Sequence, residues 1–123
     1  MNNKDVIKEF AYHNIAKGKN LFAERRYNNI LVLYSFGYHF PMCIELKDNT
    51  YVVNTDGYSI STKKQRYYLL EEFGYSGYKD FKENHSPKTF ILKNTVDMLN
   101  IINNNITTMN EIIEEQIWNI IKH

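Results

Sequence analysis

Between Asn29 and Ser61, short apolar runs are separated by the two clearest turn signals in the chain, Asp48-Asn49 and Asp56-Gly57, a spacing that predicts a small β-meander. Ile30 to Phe36 is dense in β-formers and bounded by Asn28, Asn29 and Gly37, so it is predicted as a central strand buried on both faces. From Phe40 the pattern alternates. Phe40, Met42, Ile44 and Leu46 fall on one face, with His39, Cys43 and Glu45 on the other, and Pro41 belongs at a strand start or an edge. Asp48 and Asn49 tolerate positive φ and suit a tight hairpin into Tyr51 to Asn54. Asp56-Gly57 predicts a second, type I′ hairpin leading to a last short strand, Tyr58 to Ser61.

Helical spacing surrounds this 28–61 core. Val6, Ile7, Phe10, Ala11 and Ile15 predict a helix over residues 3 to 16, capped by Asn3 and stopped by Gly18. Residues 17 to 27 read as a basic connector, a short helix or a loop. Thr62 is predicted to cap a helix over 62–73 that ends at Gly74, and 74–88 reads as a mobile loop with one helical turn near Tyr78 to Phe81. Phe90 to Leu92 is a short strand or the lead-in to a helix. The C-terminal part, 94–123, is predicted helical. Asn94 or Thr95 caps its first helix, the Asn103 to Asn105 run interrupts it, and Thr108 and Glu111 form a capping box for the second. In that last helix Met109, Ile112, Ile113, Ile117, Ile120 and Ile121 recur at helical spacing. Burial of this stripe at roughly 1.5 to 3 kcal/mol per side chain makes Ile117→Asp an unfolding substitution.

The expectation is one α+β domain over 1–123: an antiparallel meander of three to four strands packed against N-terminal and C-terminal helices. A chain of 123 residues carries one core. The single cysteine, Cys43, forms no intrachain disulfide and fits a reducing compartment; with no apolar run of membrane-spanning length and a polar N-terminus, a cytoplasmic protein is expected. A net charge of +1 argues against both a strongly basic nucleic-acid binder and an acidic DNA mimic. The charge is uneven, with ten Lys/Arg and six Asp/Glu up to residue 70 and five against eight beyond it, which makes the sheet-bearing half the basic one.

No residue set carries catalysis. His39 and Cys43 lie about 13 Å apart if both sit on one strand, too far to share an ion, and read as a partly buried histidine and a core thiol. Asp56, Ser59 and Ser61 with His39 are the nearest approach to a hydroxyl nucleophile, but Asp56 is needed by its turn. The glycines have no phosphate-loop spacing. No enzyme, cofactor or metal is therefore expected. Two clusters mix cations with aromatic rings: Lys17, Lys19, Arg25, Arg26 and Tyr27, and Lys63, Lys64 and Arg66 before Tyr67 and Tyr68. Such mixtures suit phosphate contacts with stacking, or a solvated face with rings packed at its edge. Ten tyrosines also fit a protein-binding surface, with Tyr75, Tyr78 and Phe81 its candidates in the expected loop, or an aromatic loop folded over its own core. The candidate partner-binding residues are thus Arg25, Arg26, Lys63, Lys64, Arg66, Tyr67, Tyr75 and Tyr78.

The segment Tyr34-Ser35-Phe36-Gly37-Tyr38-His39-Phe40-Pro41, followed by Val53-Asn54-Thr55-Asp56-Gly57-Tyr58-Ser59, resembles a small domain that recurs in bacteriophage and mobile-element proteins. The likeness runs from about Tyr34 to Gln65; where the family has a histidine, this chain has Lys64, Gln65 and Arg66. No activity comes with the resemblance. It implies a phage setting, in which a small protein without a catalytic motif is expected to bind and sterically block a host defence protein, an RNA-guided CRISPR nuclease being the concrete form. A nucleic-acid-binding accessory module is the alternative. A monomer or a homodimer paired through the last helix is expected.

Overall fold

The computed structural model describes residues 1–26, 29–57 and 59–122. Helix α1, Asn3–Ala11, starts at Asn2, whose side chain accepts the Asp5 N–H, and it buries Val6, Ile7 and Phe10. It is shorter than its apolar pattern suggested: Tyr12 closes it and His13 takes φ 68°. The chain then forms strands where a helix or loop was expected, β1 (Ala16–Lys17) and β2 (Leu21–Arg25), paired antiparallel. Gly18 is required at their turn because a Cβ there would stand 2.9 Å from Val6 Cγ2 and 3.0 Å from the Met1 carbonyl oxygen.

Strands β3 (Leu31–Ser35), β4 (Pro41–Glu45) and β5 (Tyr51–Asn54) are buried throughout, as expected for the centre of a sheet. The Asp48-Asn49 hairpin forms. Asn49 takes φ 64°, and the Asp48 carboxylate accepts from the Thr50 hydroxyl and, across 61 residues of sequence, from the Met109 N–H. One face assignment changes. A bulge opposes Tyr34 to Pro41 and Leu33 to Cys43, so Met42 is the extra residue and turns to the same core as Cys43.

The Asp56-Gly57 hairpin and the strand after it do not form. Instead Ser59 caps helix α2, Ile60–Glu72, by accepting the Thr62 N–H, so Thr62 lies inside the helix it was expected to cap; Tyr58 lies outside the described residues. Helix α2 ends in a Schellman turn in which Tyr75 N–H reaches the Leu70 carbonyl, Gly74 N–H reaches that of Glu71, and Gly74 takes φ 95°. Gly74→Ala is expected to cost about 1–2 kcal/mol from that backbone conformation alone, since nothing lies within 4 Å of the added carbon. The urea midpoint reads it.

Residues 74–88, expected as a loop with one helical turn near Tyr78 to Phe81, contain a longer helix there, α3, Tyr78–Asn84, and Phe81, a candidate for partner contact, is fully buried. The chain returns as β6, Phe90–Lys93, parallel to β5, which completes a six-stranded sheet in the order β1-β2-β3-β4-β5-β6. The fold is α+β with a mixed, open sheet, not an antiparallel meander alone. Helices α1 to α3 cover one face through Val6, Phe10, Leu69, Leu70 and Phe81. Helices α4 (Thr95–Asn103, capped by Asn94) and α5 (Met109–Lys122) cover the other through Met98, Ile101, Ile102, Met109 and Ile112.

The capping box of α5 forms, with Thr108 accepting the Glu111 N–H and donating to its carboxylate. Its apolar stripe is not buried as expected. Ile112 is inside, but Ile117, Ile120 and Ile121 are exposed. No helix among the described residues is long and apolar enough to cross a membrane.

Candidate interaction site

Strands β3, β5 and β6 run in one direction, so their C-terminal ends share an edge with the starts of β4, α2 and α4. There the polar residues of the Tyr34-to-Gln65 motif meet. Ser35 donates to Gln65 Oε1, the Asn54 amide donates to the Pro41 carbonyl at 2.7 Å and to Thr95 Oγ1 at 2.9 Å, and Arg66 donates to the carbonyls of Asn54 and Asp56. The Arg66 guanidinium also lies 3.9 Å from the Tyr78 ring centroid. These bonds tie three strand ends to two helices, and each partner is spent on structure.

A shallow cleft of about 420 Å³ at this edge is lined by His39, Phe40, Asp56, Gly57 and Thr95. Its carboxylate is committed: Asp56 Oδ2 accepts the Thr95 N–H at 2.9 Å, and that bond, with the Thr95 hydroxyl, holds the carboxyl below its usual range. Ser59 is bonded to Thr62, and Ser61 lines a different cleft beside Lys64. Cys43 sits mid-strand, fully buried, and burial pushes its thiol well above the ordinary value. Among the described residues no group of three or more His, Cys, Asp or Glu is placed to hold a metal ion.

Because the folded-state value of Asp56 is depressed, its stabilising contribution is full above the unfolded carboxyl value, about 3.9, and is lost as pH falls through the folded one. Asp56→Asn is expected to flatten the fall of the urea midpoint between about pH 5 and pH 2.

The two basic clusters are kept apart. Arg25 pairs with Leu31 at the start of β3, whereas Gln65, next to Arg66, bonds Ser35 at its end, a separation of about 13 Å along the strand. Lys63 and Lys64 are exposed on α2, Tyr67 is partly exposed against Tyr68, and Arg66 is buried. Tyr75 packs on Phe81 and Phe90, and Tyr78 lies under Arg66 and Lys82. Tyr27 lies outside the described residues.

The other cluster becomes a groove. Strand pairing places Lys17 beside Phe22, and alternation puts Phe22, Glu24 and Arg26 on the face that α4 covers over β4 and β5. The resulting groove of about 810 Å³ over β1 and β2 is lined by Ile15, Lys17, Phe22, Glu24, Arg25 and Tyr38, among others. Phe22 and Tyr38 form its aromatic part, with Phe22 stacked on the buried Tyr34 at 5.2 Å and Tyr38 edge-on to both. The Tyr38 hydroxyl donates to both Glu24 oxygens at 2.8 and 3.0 Å, a bond that pushes its pKa above the usual tyrosine value and so opposes its ionisation, and the Arg26 guanidinium lies 5.6 Å from its ring. Arg25 is held at the rim by the carbonyls of His13 and Asn29. The sequence marked the cations here but not the groove, because Ile15 and Tyr38 join Phe22 only once β1 and β2 are known to be strands.

No protein-family model, curated protein or solved structure matches this chain.

Proposed function

We propose that this chain is a non-catalytic binding protein that docks on a host defence protein and blocks it sterically, an RNA-guided nuclease being the target class, in the cytoplasm of a bacterium infected by a phage or carrying a mobile element. The groove over β1 and β2 carries this reading. An apolar, aromatic floor rimmed by Lys17 and Arg25, with one carboxylate already held by Tyr38, suits a polypeptide segment that mixes apolar and acidic side chains. The phage or mobile-element setting rests on the resemblance of residues 34–65 alone, and the polar side chains of Ser35, Asn54 and Gln65 in that stretch are engaged in holding the fold.

A nucleic-acid-binding accessory module is the second reading, favoured by the same cations. It is weakened by the rings, since Phe22 and Tyr38 pack against each other and Tyr34, where base stacking needs a free ring face. Titration of the purified chain against a purified guide-loaded nuclease, and separately against single-stranded and double-stranded DNA, distinguishes the two. Micromolar or tighter binding to the nuclease that survives nuclease digestion of free nucleic acid, and that Ile15→Asp abolishes, is the expected result. Binding to DNA alone, falling steeply with salt, replaces this reading with the second.

A further inference from the structure

Helices α1 and α2, on the sheet face opposite the β1–β2 groove, enclose a polar cleft of about 420 Å³. Ser61, Lys64, Gln65 and Tyr68, at steps of three, one and three, line it from α2; Lys4 lines it from α1, and Asn20 from the turn between β1 and β2. No lining residue is acidic. Two lysines meet here on one ring, with Lys4 Nζ 4.7 Å and Lys64 Nζ 6.0 Å from the Tyr68 ring centroid. Among the described residues neither ammonium pairs with a carboxylate. Gln65 forms the inner wall and is 3% exposed. Ser35 Oγ donates to its Oε1, while its amide nitrogen donates to no described residue. Both helices begin at the cleft, so the N–H groups of Lys4 and Ser61, ahead of the first intrahelical bonds, bring the positive ends of two dipoles to it.

We infer that this cleft binds the phosphate group of a phosphomonoester, with Lys4 and Lys64 as its counter-charges and the Gln65 amide as its inner donor. The lining selects an anion, because two like charges gathered on one ring without a carboxylate repel each other until an anion enters between them. It selects a phosphate over a carboxylate because the donors come from two helices and a turn. A carboxylate offers two oxygens to such a set, whereas a phosphate monoester offers three and carries close to two charges. The Tyr68 ring is taken up by the two ammonium groups and by Tyr67, edge-on at 5.8 Å, so recognition rests on the phosphate and not on stacking of a base. The site is separate from the groove over β1 and β2, and the inference depends on neither reading of that groove.

Titration of the intact chain with inorganic phosphate and with adenosine 5′-monophosphate at constant ionic strength, followed through its backbone amide NMR shifts, tests the inference. A saturable response with a Kd of about 0.1–10 mM is expected, with the largest shifts at Ser61, Lys64 and Gln65. Lys4→Ala and Lys64→Ala, both at exposed positions, should each weaken binding several-fold with the urea midpoint unchanged. Lys8→Ala, exposed one turn further along α1 and outside the lining, should leave it unchanged. A short single-stranded oligonucleotide with and without a 5′-phosphate separates the two sources of the group. Tighter binding of the phosphorylated form than of the mononucleotide assigns the site to a nucleic-acid end, and equal binding of the two assigns it to the free monoester; both support the inference. No saturation by phosphate or mononucleotide up to about 10 mM overturns it. A response weakened as much by Lys8→Ala as by Lys4→Ala and Lys64→Ala also overturns it, since diffuse attraction to surface cations then accounts for the binding.

Discussion

Phe81→Ala is expected to destabilise the protein by about 3–5 kcal/mol, a large part of the roughly 5–15 kcal/mol that holds a domain of this size. The ring is fully buried, and it sits edge-on to Tyr75 at 5.1 Å and to Phe90 at 5.1 Å, with His85 stacked on it at 4.8 Å. Helix α3 has seven residues, too few to persist without this anchor, so truncation leaves a cavity that the neighbouring rings fill only in part. The effect reaches the sheet because Phe90 opens β6, whose pairing with β5 closes the crossover. Equilibrium urea unfolding reads the loss, and a cost below about 1 kcal/mol would mean that α3 does not hold the core as described.

Arg66→Met is the second large effect, expected at about 2–4 kcal/mol. Arg66 is 7% exposed, and burial lowers its ionisation against the opposing influence of Tyr78 and Asp56. Methionine keeps much of the stem but removes the bonds of 3.0 and 3.2 Å to the Asn54 and Asp56 carbonyls and the contact with Tyr78. Arg66→Lys should recover only part of the loss, because an ammonium lacks the planar fork that reaches two carbonyls while lying on a ring. Arg66→Met with wild-type stability would show that the polar knot at the strand ends is dispensable.

The features legible in the sequence were those decided by near neighbours. Strand β3, the Asp48-Asn49 hairpin and the caps at Asn94 and Thr108 each depend on residues within a few positions, and each forms. Asp56-Gly57 shows the limit of such signals: its carboxylate is taken by the Thr95 N–H, 39 residues away, and Ser59 starts a helix instead. Strand β2 was hidden because its inward residues, Leu21 and Ala23, alternate with Phe22 and Glu24 over only five positions. Strand β6 is four residues long and pairs parallel across a two-helix crossover that no local pattern announces. Helix α2 buries Thr62, Gln65 and Arg66 beside Leu69 and Leu70, so its inner face carries no clean apolar rhythm.

The site divided in the same way. Arg25 and Arg26 were legible as cations near rings, but Arg66, read as part of a surface, is the centre of a buried knot. The α5 stripe was legible as a face that needs covering, while periodicity is silent on whether the cover is the chain's own core. That is why Ile117→Asp, an unfolding change on the sequence alone, is expected to leave this fold intact at a 51% exposed position.

The most direct measurement is cleavage of target DNA by a purified guide-loaded nuclease, titrated with the wild-type chain and with two exposed groove variants, Ile15→Asp and Lys17→Glu. Inhibition near one chain per nuclease by the wild type, lost with Ile15→Asp and weakened with Lys17→Glu while both variants stay folded, is the result expected of a steric inhibitor working through the β1–β2 groove. Cleavage unaffected by the wild type, or inhibited equally by all three proteins, would contradict it.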